Sequence, residues 1–470
     1  MDSTLCDLQR QNLSLQLASS RTQLYQLKSS DSANSAVYYQ LHFNAFLRAF
    51  VSESDQDYRE YRRIKAAALD HYKMLSDTSP YQRFLASDVY FYAGTLMAKR
   101  GEYYNSAMAV RKAWNLIEQN HQLFPHFIAN NKTRGILKVY LSTVPESYDW
   151  VTRLLGFEGN LNQGLRLLKT LTEYRDGNKC MGGVIQETQY MYAYALLHVA
   201  KKNAIAWNEM LKCTGDYQSN LLSSYFRSLM ALKLNKNEIA FKTLAKRPRS
   251  EMYTPFHTLL YHFGIVKLQR GDSSAIHELK QFLQYNNGEN FIKSCYQKMS
   301  WYYVLEGEME WANYYKSQIE LFGARVYDED KHAERYAKKE LPHPTILRAR
   351  LLYDGGYYKR AYDVLNTLSI KDLMGLDQKA EFCYRKGRIL EKLGYAERAL
   401  NMYEACSIFA RNSEEYYGAY ACIFAGDIYA SQQKKELSLK FYKRALTYSN
   451  NLEYIDVINY RVEIGLKKVQ

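Results

Sequence analysis

Histidine, cysteine, serine and carboxylate side chains are the groups that could do metal, covalent or acid–base chemistry, and here their spacing argues against each in turn. His257 and His262 stand five residues apart, as do His121 and His126, which straddle Pro125. Two histidines sharing a metal on one helix face sit at i and i+4, so neither pair fits. The seven cysteines, Cys6, Cys180, Cys213, Cys295, Cys383, Cys406 and Cys422, are odd in number and include no Cys-x-x-Cys. A disulfide scaffold has them denser and paired, so this usage points to packing and to a reducing compartment. No serine lies in a Gly-x-Ser-x-Gly elbow. Gly156, Gly159 and Gly164 lack the Gly-Lys-Ser/Thr ending of a phosphate loop. They read as glycines at turns and close helix contacts. Asp328 and Asp330 fall in the run Asp328-Glu329-Asp330-Lys331 and read as solvated charge. Local sequence therefore supports no catalytic, metal or cofactor motif, and the chain reads as a non-enzyme, the alternative being an enzyme site built within the poorly matched middle, 185–322.

The elements that carry these residues are helices. Only 7 of 470 residues are proline, and proline inside a helix costs roughly 3 kcal/mol. Between Ala380 and Leu446 one pattern occurs twice. Gly387, Leu390, Gly394, Ala399, Tyr403 and Cys406 appear in order, and Gly426, Tyr429, Gln433, Ser438, Tyr442 and Ala445 occupy the same offsets. A third copy is Gly94, Met97, Gly101, Ser106, Val110 and Ala113. Small residues stand where two helices must approach closely, and large ones fill the space one turn away. The 44 tyrosines suit such seams, because the ring packs between helices while the hydroxyl reaches a polar partner. Poorer copies run through 185–322, with Asn208 and Lys212, Ala240 and Leu244, and Ala312 and Lys316 at the small and large offsets. Turns near Asn203, Asn235, Gly271 and Gly307 keep the period.

That pattern resembles the tetratricopeptide repeat, a helix-turn-helix unit of about 34 residues that stacks on its neighbours. The resemblance implies an all-α, right-handed α-solenoid of tetratricopeptide-like helix pairs, with capping helices at both ends. Residues 1–50 read as N-terminal capping helices and 51–323 as a partly degenerate array. Residues 324–344 read as a charged linker closed by Pro342 and Pro344, and 345–470 as C-terminal repeats with a capping helix. In such repeats the first helix of each pair lines a concave groove. The corresponding offsets here are Arg350 and Tyr353, Tyr384 and Arg388, and Asp427. Two arginines flanked by tyrosines could clamp a carboxylate of an extended peptide. An alanine pair at Arg350 and Arg388 is then expected to weaken capture and leave stability little changed.

Ile136 to Val144 is a continuous apolar helix ended by Pro145. Leu154-Leu155-Gly156-Phe157-Glu158-Gly159 follows, then Gly164-Leu165. Residues 132–170 resemble the signature segment of the tetratricopeptide-repeat 39 and inclusion-body-clearance proteins. That likeness implies a helical-repeat protein without known catalysis, in an adaptor or organelle-associated role. Two functions follow as expectations. One is an adaptor or scaffold holding a protein or peptide partner in its groove. The alternative is an organelle- or envelope-associated factor that contacts an anionic surface through basic clusters such as Lys434, Lys435, Lys440, Lys443 and Arg444. The net charge of +14 suits the second. No nucleic-acid motif is present, and no apolar run reaches the ~18 residues of a membrane span. A cytoplasmic location is expected, or an exported one had a signal peptide been removed.

Overall fold

The structure is a computed structural model that describes residues 3–142, 159–175, 181–448 and 454–469. Every regular element among them is helical. The chain forms two compact units. The first comprises residues 1–264, 277–295 and 319–334, and the second 265–276, 296–318 and 335–470.

In the first unit, α1 (Ser3–Leu13) and α2 (Leu17–Ser30) pack on α3 (Ser35–Ser52). Leu5, Leu8, Leu15 and Leu24 are buried. Buried amides set the angle: the Asn12 side chain donates to Gln40 Oε1 at 2.9 Å, and Asn44 donates to Asn12 at 2.8 Å and to the Leu17 carbonyl at 2.9 Å. α4 (Asp55–Tyr72) starts on Ser54, whose hydroxyl accepts from the Asp57 amide at 3.1 Å, with Asp55 and Asp57 in its first turn. Carboxylates there complement the helix dipole. α5 (Pro80–Lys99) starts on Ser79 with proline in its first turn, where the missing N–H has no cost. Gly101, at φ +78°, turns the chain into α6 (Tyr103–Leu123). The first Gly/small pair of the repeat then shows its geometry. The Ser106 hydroxyl donates to the Gly94 carbonyl at 2.8 Å, and a Cβ on Gly94 would meet Val110 at 3.0 Å.

The stack continues with α7 (Asn130–Leu141), α8 (Leu161–Thr172), α9 (Gly182–His198), α10 (Asn203–Cys213), α11 (Leu221–Lys233) and α12 (Asn237–Ala245). α5 pairs with α6, α7 with α8, α9 with α10 and α11 with α12. The first helices α3, α5, α7, α9 and α11 lie side by side in order. Such nearest-neighbour packing defines a helical-repeat fold. At the α7–α8 crossing two glycines face one another: a Cβ on Gly164 would meet the Gly135 carbonyl at 2.7 Å, and one on Gly135 would meet Leu168 at 2.8 Å. Of the segment resembling the inclusion-body-clearance proteins, Pro145 and the Leu154-to-Glu158 run lie outside the described residues.

Five helices follow: α13 (Thr258–Arg270), α14 (Ala275–Tyr285), α15 (Ile292–Glu306), α16 (Met309–Leu321) and α17 (Asp328–Ala337). The last falls in the stretch expected to be a charged linker, and its charge is not all solvated. Asp330 is fully buried, and its carboxylate accepts from the Phe291 amide at 2.8 Å and the Ser294 amide at 3.0 Å. It caps the start of α15, supplying acceptors for N–H groups that have no partner within the helix. Lys293 meanwhile donates to the Ile319 carbonyl at 2.8 Å.

In the second unit α18 (Pro344–Asp354) pairs with α19 (Tyr358–Leu365), α20 (Leu376–Lys392) with α21 (Ala396–Phe409), and α22 (Tyr417–Ser431) with α23 (Lys435–Ala445). α24 (Ile455–Val469) closes the row. A Cβ on Gly387 would meet the Tyr403 ring at 2.6 Å, and one on Gly426 the Tyr442 ring at 2.8 Å. Each ring sends its hydroxyl back to a carboxylate on the first helix of its own pair: Tyr403 to Glu391 at 2.6 Å and Tyr442 to Asp427 at 2.7 Å. Ser438 repeats the Ser106 bond, donating to the Gly426 carbonyl at 2.9 Å. The turns use the left-handed region at Gly356, Gly394 and, with a side chain, Gln433. Among the described residues no helix is long and apolar enough to cross a membrane.

Two outcomes follow from this packing. Gly387→Ala should lower stability in urea titrations by about 2–3 kcal/mol, because the buried Tyr403 ring has nowhere to move. Asp330 gives a pH dependence. Burial outweighs its two amide bonds and raises its carboxyl to about 7. A folded value raised above the ordinary one contributes stability that is complete below about pH 4 and is lost as pH climbs through about 7. The effect is on the order of 2–4 kcal/mol. Melting temperatures of wild type and Asp330→Asn should therefore diverge at low pH and converge or cross by pH 8; parallel curves would contradict it.

Candidate partner-binding groove

The five positions expected to line a groove fall on the first helices of the pairs in the second unit. Arg350 and Tyr353 are on α18, Tyr384 and Arg388 on α20, and Asp427 on α22. Tyr353, Tyr384 and Arg388 line one cavity of about 220 Å³, together with Ala349, Asp354, Arg385 and Phe424. Arg388 lies flat against Phe424, 3.6 Å from the ring centroid, and donates to the Tyr353 hydroxyl through Nη2 at 2.8 Å and Nε at 3.3 Å. The guanidinium is thereby clamped, and its Nη1 takes no partner among the described residues. Arg385 is buried, pairs with Glu381 at 3.0 Å and reaches the Tyr416 hydroxyl at 3.4 Å. Tyr384 is buried between them, and burial holds its hydroxyl well above the ordinary tyrosine range. The cavity thus presents two held cations, two phenols and one carboxylate, Asp354.

Arg350 and Asp427 do not line this cavity. Arg350 sits over the Trp301 ring at 4.7 Å and 3.9 Å from Asp354. Asp427 accepts from Tyr442 and, at 3.1 Å, from Arg461, which also covers Phe424 at 4.9 Å. Arg385, Asp354 and Phe424 escaped the sequence reading, since the repeat offsets mark one face and each of these stands beside it. Their only sequence signal is a helical neighbour: Glu381 lies one turn before Arg385, and Arg350 one turn before Asp354. Both guanidinia pack on aromatic faces, so alanine at Arg350 and Arg388 removes packing as well as charge.

A second constellation was also invisible in sequence. Lys132 on α7 is wholly buried, 2.6 Å from Asp88 on α5 and 2.8 Å from Glu187 on α9. The hydroxyl of Tyr92 donates to Glu187 at 2.5 Å, that of Tyr39 to Asp88 at 3.2 Å, and that of Thr133 to Asp88 at 2.6 Å. With side-chain exposures of 0%, 0% and 3%, the triad is sealed from any substrate, and it ties three successive first helices together. His42 and His262 likewise sit in cores, as do Cys213, Cys295, Cys383, Cys406 and Cys422. Burial lowers His262 to about 4 and His42 to about 3, and raises Cys383 to about 12 and Cys422 to about 11. These thiols are protonated near neutral pH and are poor nucleophiles. Among the described residues no group of three or more His, Cys, Asp or Glu side chains could hold a metal ion.

The chain matches no family model and no curated protein. Among solved structures it is similar to the APC/C hetero-tetramer Cut9–Hcn1, at 12% identity, covering 97% of this chain and 93% of that one, with a TM-score of 0.25. The TPR domain of P58(IPK) is 14% identical over 92% of this chain and 99% of that one, with a TM-score of 0.23. Yeast Tom70 is 13% identical over 89% and 95%, with a TM-score of 0.24. At such scores these likenesses carry no weight beyond themselves, and the helix-pair fold rests on the packing described above.

Arg388→Ala removes both bonds to Tyr353 and the contact with Phe424. It should cost roughly 1–2 kcal/mol in urea titrations, and Arg350→Ala about half as much.

Proposed function

We propose that this protein is a non-enzymatic tetratricopeptide-like adaptor that holds an extended protein segment, through a carboxylate, on the first helices of its second unit. The supporting observation is the cavity beside Arg388. Its guanidinium is already stacked and hydrogen-bonded, so a carboxylate reaching Nη1 need not order a flexible side chain. Arg385 adds charge from the same helix, and the tyrosines supply flat apolar walls with polar tips. Repeat folds present open surfaces of this kind.

A second reading has its own observation. Lys434, Lys435, Lys440 and Lys443 are all exposed at and along α23, with Lys434 4.0 Å from Glu397. Such a face suits an anionic surface.

One titration separates the two readings. Fluorescein-labelled peptides of alternating Glu-Ala and alternating Gln-Ala are compared, beside vesicles of anionic lipid. Groove binding predicts that the Glu peptide binds tighter. Arg388→Lys, which keeps charge but loses the fork, should weaken it by roughly three- to tenfold. Equal affinity for both peptides, or no effect of Arg388→Lys, would refute the groove. Vesicle binding that collapses with salt and with the four lysines changed to glutamine would favour the basic face.

A further inference from the structure

The strongest unexplained surface lies elsewhere in the second unit, where α15 ends and α16 begins. Gly307, at φ +81°, makes the turn. Around it Tyr303 and Tyr315 stack at 5.3 Å with planes 8° apart, and Trp311 lies 6.0 Å from Tyr303 and 6.2 Å from Tyr315, tilted by about 30° from each. Tyr314 stands edge-on to both Trp311 and Tyr315. Three near-parallel rings make a platform and the fourth makes a wall. Trp311 is 51% exposed and Tyr314 50%, so large aromatic area faces water here without a partner. Burying such area is the ordinary use of a tryptophan, and exposed aromatic groups of this size mark binding surfaces.

The charge beside the platform identifies the occupant. Glu306, Glu308 and Glu310 are all exposed, and none forms an ion pair among the described residues. Glu306 is within electrostatic reach of Tyr302 and Arg348. In a chain of net charge +14, three unpaired carboxylates in five residues are a local reversal of sign. Elsewhere in this unit arginines already sit over aromatic rings, as Arg388 does on Phe424 and Arg350 on Trp301. The exposed platform is the same kind of surface with its cation missing. A planar guanidinium can lie on ring faces and still direct its N–H groups sideways to carboxylates, whereas an ammonium offers only a point charge.

We infer that the Trp311 platform and its three glutamates form a docking surface for an arginine-bearing basic segment of a partner protein. This surface is separate from the cavity at Arg388 and takes a ligand of opposite charge, so either assignment stands or falls without the other.

The test is fluorescence anisotropy of the full chain with a labelled oligo-arginine peptide, and with oligo-lysine of equal length. The wild type should bind the arginine peptide in preference to lysine. Trp311→Ala with Tyr314→Ala should weaken it by roughly tenfold, as should Glu306, Glu308 and Glu310 changed together to glutamine. All five side chains are exposed, so circular dichroism and melting should be unchanged, which separates lost docking from lost folding. No binding by the wild type, equal binding by the aromatic variant, or no preference for arginine over lysine overturns the inference. So does sedimentation showing concentration-dependent self-association that the aromatic variant abolishes, since the face would then belong to a second copy of this chain.

Discussion

Two helices of a pair close only as far as the smallest residue between them allows, and the rest of this architecture depends on that distance. At Gly387 and Gly426 there is no side chain, so a tyrosine ring from the second helix lies directly on the backbone of the first. The same closeness lets the serines at 106 and 438 reach the carbonyls of Gly94 and Gly426. A buried ring so placed also carries a hydroxyl, which must find an acceptor. Glu391 and Asp427 supply it from the facing helix. Packing and hydrogen bonding thus enforce one register.

Neighbouring pairs are joined by a different chemistry. In the first unit Asp88, Lys132 and Glu187 come from three successive first helices and meet out of water. Desolvating these charges is costly, and their mutual attraction offsets the cost only with good geometry and further hydrogen bonds. The three hydroxyls around them provide those bonds. In the second unit the corresponding links are arginines on an aromatic face, Arg388 of α20 and Arg461 of α24 both over Phe424 of α22. Those links leave a row of side chains already fixed in place, which is what a surface for an extended ligand requires. The exposed Trp311 ring has no such cation among the described residues.

Much of the architecture was legible beforehand because it is periodic. The glycine, alanine and serine offsets recur, so three well-formed pairs and the left-handed turns at Gly101, Gly271, Gly307, Gly356 and Gly394 could be placed from residue order alone. Gln433 could be placed too, by alignment with Gly394, although its side chain disguises the turn. The charged stretch around Asp328 misled, because a run of acidic residues normally stays in water. Here one of them faces the unsatisfied amides of another helix start, and no local pattern records that. Of the five residues marked by offset, Tyr353, Tyr384 and Arg388 line the cavity of the second unit and Arg350 and Asp427 do not, while Arg385 and Phe424, which do, flank the marked face.

The sequence by itself determined the helix-pair repeat and the register inside each pair, because both follow from residues a fixed number of positions apart on the same short piece of chain. Only the tertiary structure decided which charges are buried, which arginines are already held by rings, and where aromatic faces remain bare. Those outcomes depend on residues tens of positions apart arriving within a few ångströms of each other. Burial, which sets the protonation of a carboxylate or the freedom of a guanidinium, is a property of that arrival and not of any single segment.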